Sequence, residues 1–560
     1  MRACAHVRLS CVALVAATAA ALAGCDAFGN DTGTRVGGAS GLELAAHQVL
    51  HLGNGVEIQT LDPQRNEDVS GANVLRDLFE GLVAEAPNGD PEPGAAESWT
   101  VSDDGKTYVF ALRRNARWSN GDPVTAQDFV YGFRRGVDPK TLTPYTFIFS
   151  PIVNADAIGA GRLPPEQLGV RALDDYTVEI ELVNPTPYFL GLLSHSTTYP
   201  AHRASLEKYG SKFTRPGHLV GNGAFVLDEW VVQSHIKLVR NPYYWDDAHT
   251  RLESIYFYPT ESAPAELQRY RANDLDYAYD LPNTQIRWIK ERMPEELVIA
   301  PYLGSYYFGF NTTKPPFKDN PKLRRALSLA IDRRVIAEQI LGAGQIPAYG
   351  WVPPVHHYKG QQMVEASWTQ GEREAEAKRL YAEAGYSADN PLRTEIMFNT
   401  NEDHRRISVS IAAMWKSVLG VDATLSNQEW KVFIDTRNQK VKTEVFRDAW
   451  IGDYNDAFTF AELLRSTAGQ NDMGYANPEY DALLDAAQSE LDLDRRAALL
   501  EQAERVMLAD HPLLPLYFYV NKHLVKPEVQ GWYDNVMNVV YSKDLGLRAV
   551  ANGPTVPSAH

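Results

Sequence analysis

The chain has little cysteine: three in 560 residues, at Cys4, Cys11 and Cys25. They are bunched at the start, so the body is held together without a disulfide framework. Positive charge is also short, with 54 Lys and Arg against 71 Asp and Glu and a formal net charge of −17. That balance argues against a nucleic-acid backbone or an anionic membrane surface as partner, because both select a cationic footprint. There is no His-Glu-x-x-His metal helix, no Gly-x-Ser-x-Gly elbow and no phosphate-binding loop. The adjacent His356 and His357 follow Val352-Pro353-Pro354, a loop composition. No catalytic residue, metal site or cofactor is expected, and the chain does not read as an enzyme. Internal repeats of solenoid length and long low-complexity blocks are missing as well.

No apolar run reaches the twenty or so residues of a comfortable transmembrane helix. The longest at the start, Cys11 to Ala23, follows Arg2 and Arg8 and ends in Leu22-Ala23-Gly24-Cys25, which resembles the lipobox of bacterial lipoproteins. Residues 1–24 are therefore expected to be a lipoprotein signal peptide. Residues 25–44 are expected to be a lipidated Cys25 and a flexible Gly-, Ser-, Thr- and Asn-rich tether. In a diderm cell, Asp26 next to that cysteine points to the inner membrane. The predicted location is extracytoplasmic or periplasmic, with the membrane met through the lipid alone.

What is plentiful is length and aromatic surface. A chain of 560 residues is too long for one core and predicts two or three domains. The 28 Tyr, 20 Phe and 11 Trp serve packing first, and an aromatic-lined cleft second. In chain order, Gln48–Gln59 reads as a strand ended by Leu61-Asp62-Pro63, and Asn73–Leu82 as a helix. Asp104-Gly105 marks a hairpin turn, and Thr125 with Asp128 marks a helix start. Ser254–Tyr258 reads as a strand. Lys322–Leu341 reads as one long amphipathic helix behind Asp319-Asn320-Pro321. Helices are expected near 372–384 and 405–419, closed by Gly385 and Gly420. The apolar run Leu513–Val520 reads as a buried strand made irregular by Pro515, and Val445, Phe446 and Trp450 belong to a strand entering a loop.

The segment Arg113 to Tyr131 resembles the signature region of solute-binding proteins that serve peptide-importing ABC transporters, particularly the oligopeptide-binding members. The likeness recurs in Leu61-Asp62-Pro63, Asp77 to Leu82, Asn241 to Trp245, Lys314 to Phe317, Asn427 to Trp430 and Gly452 to Asn455. It implies an α/β, periplasmic-binding-protein-like fold of type II (cluster C): two lobes with a hinge plus an extra domain. The implied boundaries are 45–79 with 203–303 and 521–550 for the first lobe, 80–202 for the extra domain, 304–520 for the second lobe, and 551–560 for a tail.

A peptide of any sequence offers an ammonium, a carboxylate and a backbone. The resemblance assigns the ammonium to Asp453, and the carboxylate to Arg447 and His404 for peptides of different lengths. It assigns the backbone to Glu67, Val69 and Ala449, by addition of the ligand as a strand. Trp430, Trp450, Tyr145 and Tyr307 are placed around the ligand side chains. Where some relatives carry a disulfide, this chain has Gly304 and Ile451; where some carry a lysine, it has Leu341; and Asp68 stands where glycine is common. The implied activity is capture of short oligopeptides and delivery to an ABC permease by a monomeric receptor. Murein peptides, another cargo of the same family, and sensing without transport stay open as alternatives.

Overall fold

The computed structural model describes residues 44–355 and 357–549, with the side chains of Trp430 and Lys431 left out of the description. The expected signal peptide, the expected tether up to residue 43, Cys25 and the expected tail lie outside the described residues.

One eleven-stranded mixed sheet runs through the molecule. At one end Asp422–Gln428, Arg393–Asn399 and Val445–Ile451 lie side by side; at the other, Val49–Gly53, Ser254–Tyr258, His235–Arg240 and Phe225–Val231 do. Two long antiparallel strands, Leu297–Phe310 and Leu513–Val525, join these halves. Their pairing shifts between Pro301 and Ser305, and again where Tyr306 and Tyr307 face Tyr517 and Pro515. The second irregularity is the one that Pro515 predicts, since proline has no N–H to give a ladder. Either side of these shifts lie separate cores, one around Leu50, Leu75 and Ile255, another around Phe308, Leu327 and Trp415. A four-stranded antiparallel sheet, ordered Ala96–Val101, Thr107–Leu112, Thr177–Glu181, Val170–Asp174, stands apart between residues 80 and 202. This multidomain α/β arrangement is the expected fold class.

Local chemistry explains most element ends. The hairpin between 101 and 107 turns at Gly105 with φ +69°, a conformation that favours glycine. Helix Ala126–Val137 starts on a capping box: the Asp128 carboxylate accepts from the Thr125 N–H at 2.7 Å. Gln370–Glu383 and Glu402–Leu419 are helices, with Gly385 and Gly420 at positive φ just beyond them.

Three expectations need correction. The first strand is only Val49–Gly53, because the chain turns at Gly55, φ +65°, well before Pro63. The helix expected at Asn73–Leu82 is Val69–Leu78. It starts early because the Asp68 carboxylate caps it by accepting from the Gly71 N–H at 2.5 Å. It stops early because the Gly223 N–H takes the Leu78 carbonyl and Asn222 Oδ1 takes the Glu80 N–H. The third concerns the single helix expected at Lys322–Leu341. It breaks after Leu329 and restarts, with the Asp332 carboxylate accepting from the N–H groups of Arg334 and Val335 and a wider turn over Val335–Leu341.

Candidate functional site

A cavity of about 850 Å³ opens between three walls. Asn66 to Val69, Ala72 and Arg76 form one; Tyr145, Phe147, Thr186, Tyr188 and His195 belong to the second; Trp450 to Tyr454, Thr459 and Glu462 belong to the third. The topology thus gathers Glu67, Val69, Tyr145, Trp450 and Asp453 from remote parts of the sequence. Tyr145 packs at a tilt against His195, with centroids 4.8 Å apart. Its phenol is raised by burial first, and then by the charges of Asp453, Glu67 and Asp68.

Asp453 sits on the loop that leaves Val445–Ile451, and that loop is pinned on both sides. The Gly452 N–H donates to the Leu303 carbonyl at 2.8 Å, and Trp450 Nε1 to Thr459 Oγ1 at 3.1 Å. Beyond it, Tyr454 is buried and stacked on Tyr188 at 4.8 Å, and Asp456 takes two hydrogen bonds from Arg496 at 2.6 and 2.8 Å. Asp453 itself has no hydrogen-bond or ion-pair partner among the described residues. Burial pushes its carboxyl up from 3.8 to about 6. A solitary carboxylate lining a cavity is arranged to receive a cation.

The strand before it offers a free edge. Arg393–Asn399 pairs with Val445 and Phe446 only, and among the described residues no strand covers that side from Arg447 onward. On the other side the strand pairs with Leu297–Phe310, Ala449 standing opposite Tyr306. Since Gly452 bonds Leu303, alternation turns the polar groups of Trp450 inward and those of Ala449 and Ile451 toward the open edge. The Ala449 N–H meets only the Asp448 carboxylate, at 2.8 Å. An extended ligand can be added there, main chain to main chain.

Arg447 and His404 do not line the cavity; they meet each other over Tyr306. The Arg447 guanidinium lies 4.9 Å from the Tyr306 ring centroid and donates to Tyr519 Oη at 3.3 Å and Asn399 Oδ1 at 3.4 Å. Its Nε is buried without a partner, and among the described residues no carboxylate is within ion-pair distance of it. Burial opposes its charge, but the Tyr306 and Tyr519 hydroxyls and Asp448 hold it protonated. His404, in the first turn of Glu402–Leu419, shares a 3.1 Å hydrogen bond with Tyr306 Oη. Burial and Arg447 push its imidazole down to about 3, so it stands neutral, without the charge that sequence reasoning allowed it.

Two further expectations meet a different geometry. Tyr307 is 1% exposed and packs edge-on against Trp351 in a core, on the strand face opposite Tyr306. Glu67 and Val69 line the cavity, but Val69 is the first residue of a helix rather than part of an extended segment. Its N–H belongs to a first helical turn, whose donors lack an intrahelical acceptor. The Trp430 side chain and Cys25 fall outside what is described. Arg76, His195 and Tyr188, which no motif marked, complete the cavity walls. Among the described residues no group of three His, Cys, Asp or Glu could hold a metal ion, and no helix is long and apolar enough to cross a membrane.

Comparison with known proteins shows the family and the fold. The sequence model of the bacterial extracellular solute-binding proteins, family 5, matches residues 90–472. The chain is 41% identical over 513 residues to the periplasmic oligopeptide-binding protein OppA of Salmonella typhimurium, covering 90% of this chain and 94% of that one. It is 40% identical over 510 residues to the periplasmic murein peptide-binding protein MppA of Escherichia coli, with coverage of 90% and 94%. The unliganded open form of an MppA murein tripeptide-binding protein superposes with a TM-score of 0.81 at 39% identity, covering 92% of this chain and all of that one.

Proposed function

This chain belongs to the bacterial extracellular solute-binding proteins of family 5, and we propose that within that family it captures short oligopeptides by backbone and charged ends and delivers them to the permease of an ABC importer. It is a binding protein and not an enzyme. The observation that carries the reading is the solitary Asp453 carboxylate at the end of an uncovered strand edge. A peptide laid along that edge presents its ammonium to Asp453 and its carboxylate toward Arg447. At about 3.3 Å per residue the six steps between them span at most about 20 Å, the length of an extended peptide of up to about six residues.

His404 adds a neutral hydrogen-bonding partner beside Arg447, while Tyr145 and Trp450 flank the ligand side chains. Glu67 and Val69 close from the opposite wall. The first lobe (45–79, 203–303 and 521–550) and second lobe (304–520) move about the two long strands near 301–305, with 80–202 as the extra domain. Cys25 tethers a monomer to the membrane through lipid, inner in a diderm cell. Murein peptides form the second reading, supported by the nearly equal likeness to MppA.

The test is mass spectrometry of ligands released from purified protein, followed by titration of the ligand-free receptor with the identified compounds. Free-ended peptides of up to about six residues support the reading. Release of murein fragments alone moves the assignment to the second reading, and absence of any peptide binding removes both.

A further inference from the structure

Val69, Ala72 and Arg76 follow one another at three- and four-residue spacing on a single face of the Val69–Leu78 helix, and all three line the cavity. Among the described residues, Arg76 is the only lysine or arginine that does so. Its one hydrogen bond runs from Nη2 to Asn73 Oδ1 at 2.6 Å. Its Nε is buried without a partner, and no carboxylate among the described residues is within ion-pair distance of it.

The two acids that could balance Arg76 are engaged or neutralised. Asp77 accepts from Ser542 N–H at 3.1 Å and Ser542 Oγ at 2.6 Å. Glu85 lines the cavity with one oxygen unpartnered. Burial pushes the first carboxyl up to about 7 and the second to about 8. At neutral pH the guanidinium therefore keeps unused donors, and a charge that Asp77 and Glu85 offset only in part, at the cavity wall. A planar fork in that state fits a carboxylate through two parallel bonds.

We infer that Arg76 is a carboxylate-binding site in the cavity wall, taking an acidic group of the peptide ligand and so favouring peptides that carry one. The inference rests on the peptide-receptor reading above. The carboxylate can be a side chain or a chain terminus, and the experiment separates these sources.

Ligand-free protein is titrated with Ala-Ala-Ala, with tripeptides carrying Glu or Gln at each position in turn, and with the C-terminal amide of Ala-Ala-Ala. The wild type is expected to bind one Glu peptide about tenfold or more tighter than its Gln counterpart, the scale of a hydrogen bond to a charged group. Arg76→Gln should erase that preference while still binding the Gln peptide, and Arg76→Lys, which keeps a point charge but loses the fork, should shrink it. If instead the amide is penalised in the wild type and Arg76→Gln erases that penalty, the terminal carboxylate is the one held. A discrimination that survives Arg76→Gln unchanged, or no discrimination by the wild type among any of these pairs, overturns the site. Failure of every peptide, Ala-Ala-Ala included, strikes the underlying receptor reading instead, and unchanged melting temperatures confirm that the variants remain folded.

Discussion

Asp453→Asn tests function and stability through one atom change. Burial raises this carboxyl from 3.8 to about 6. At about 1.4 kcal/mol per unit, holding it ionised in the empty cavity costs about 3 kcal/mol. A folded-state value above the unfolded one means that the group's stabilising contribution is complete below 3.8 and is lost as pH rises through 6. The asparagine variant, always neutral, should therefore unfold later than wild type at pH 7.5 by up to about 3 kcal/mol, with the gap closing near pH 4. Binding should move the other way. A peptide ammonium compensates the ionised carboxylate, so the variant should lose roughly 100-fold for free-amine peptides and little for N-acetylated ones. Wild-type affinity for free-amine peptides should fall as pH drops through about 6, where the empty site takes a proton. Calorimetric titration between pH 5 and 8, paired with urea unfolding of ligand-free protein, reads both. Equal losses for free and acetylated peptides, or a variant less stable than wild type at pH 7.5, would refute the reasoning.

Arg447→Met should cost carboxylate-ended peptides about tenfold and their C-terminal amides little, checked by the same titration; equal losses would detach Arg447 from the ligand's end. Arg496→Met leaves Asp456 without its two bonds beside the binding loop, so a loss of about 3 kcal/mol in urea unfolding is expected, together with weaker peptide binding. Gly304 stands directly opposite Ile451 in a pair that alternation makes non-hydrogen-bonded, the closer of the two kinds. The double variant Gly304→Cys, Ile451→Cys should therefore oxidise to an intramolecular disulfide, seen as a gel shift reversed by reductant; a free-thiol count unchanged after oxidation would contradict the register.

Much of this site was legible because a strand and a loop preserve sequence order in space. Trp450 and Asp453 had to lie near each other once Val445 to Ile451 was a strand, and Ala449 had to share its edge. Alternation set the limit. Tyr306 and Tyr307 are neighbours of the same type, yet Tyr306 meets His404 and Arg447 while Tyr307 packs on Trp351. A one-residue step flips the face, and nothing in Tyr306-Tyr307-Phe308 says which face is which. Arg76 was hidden for a related reason. The helical pattern of Val74, Leu75 and Leu78 marks the side that is buried, but the polar side can meet either solvent or a ligand cavity. The restart at Asp332 was masked by an apolar periodicity that continues through both helices, since Leu327, Ile331 and Ile336 are all buried in one core.

The family motifs divide by whether their charges are satisfied. Asp62 is paired with Arg135 at 2.6 Å, and the Glu80 carboxylate accepts from Tyr244 Oη at 2.5 Å and Trp245 Nε1 at 2.7 Å. Leu61-Asp62-Pro63, Asp77 to Leu82 and Asn241 to Trp245 thus fasten segments far apart in sequence, and their acids have nothing left to offer a ligand. Asp453, inside the Gly452 to Asn455 motif, and Arg447, outside any of these motifs, have no carboxylate-to-cation partner among the described residues. Since an unpaired buried charge costs several kcal/mol that a fold alone gives no reason to bear, these two groups without a counter-charge are the ones the proposed reading assigns to the ends of a zwitterion. The same criterion picks out Arg76, and its test therefore also asks whether missing partners, rather than motif membership, mark the residues that touch the ligand.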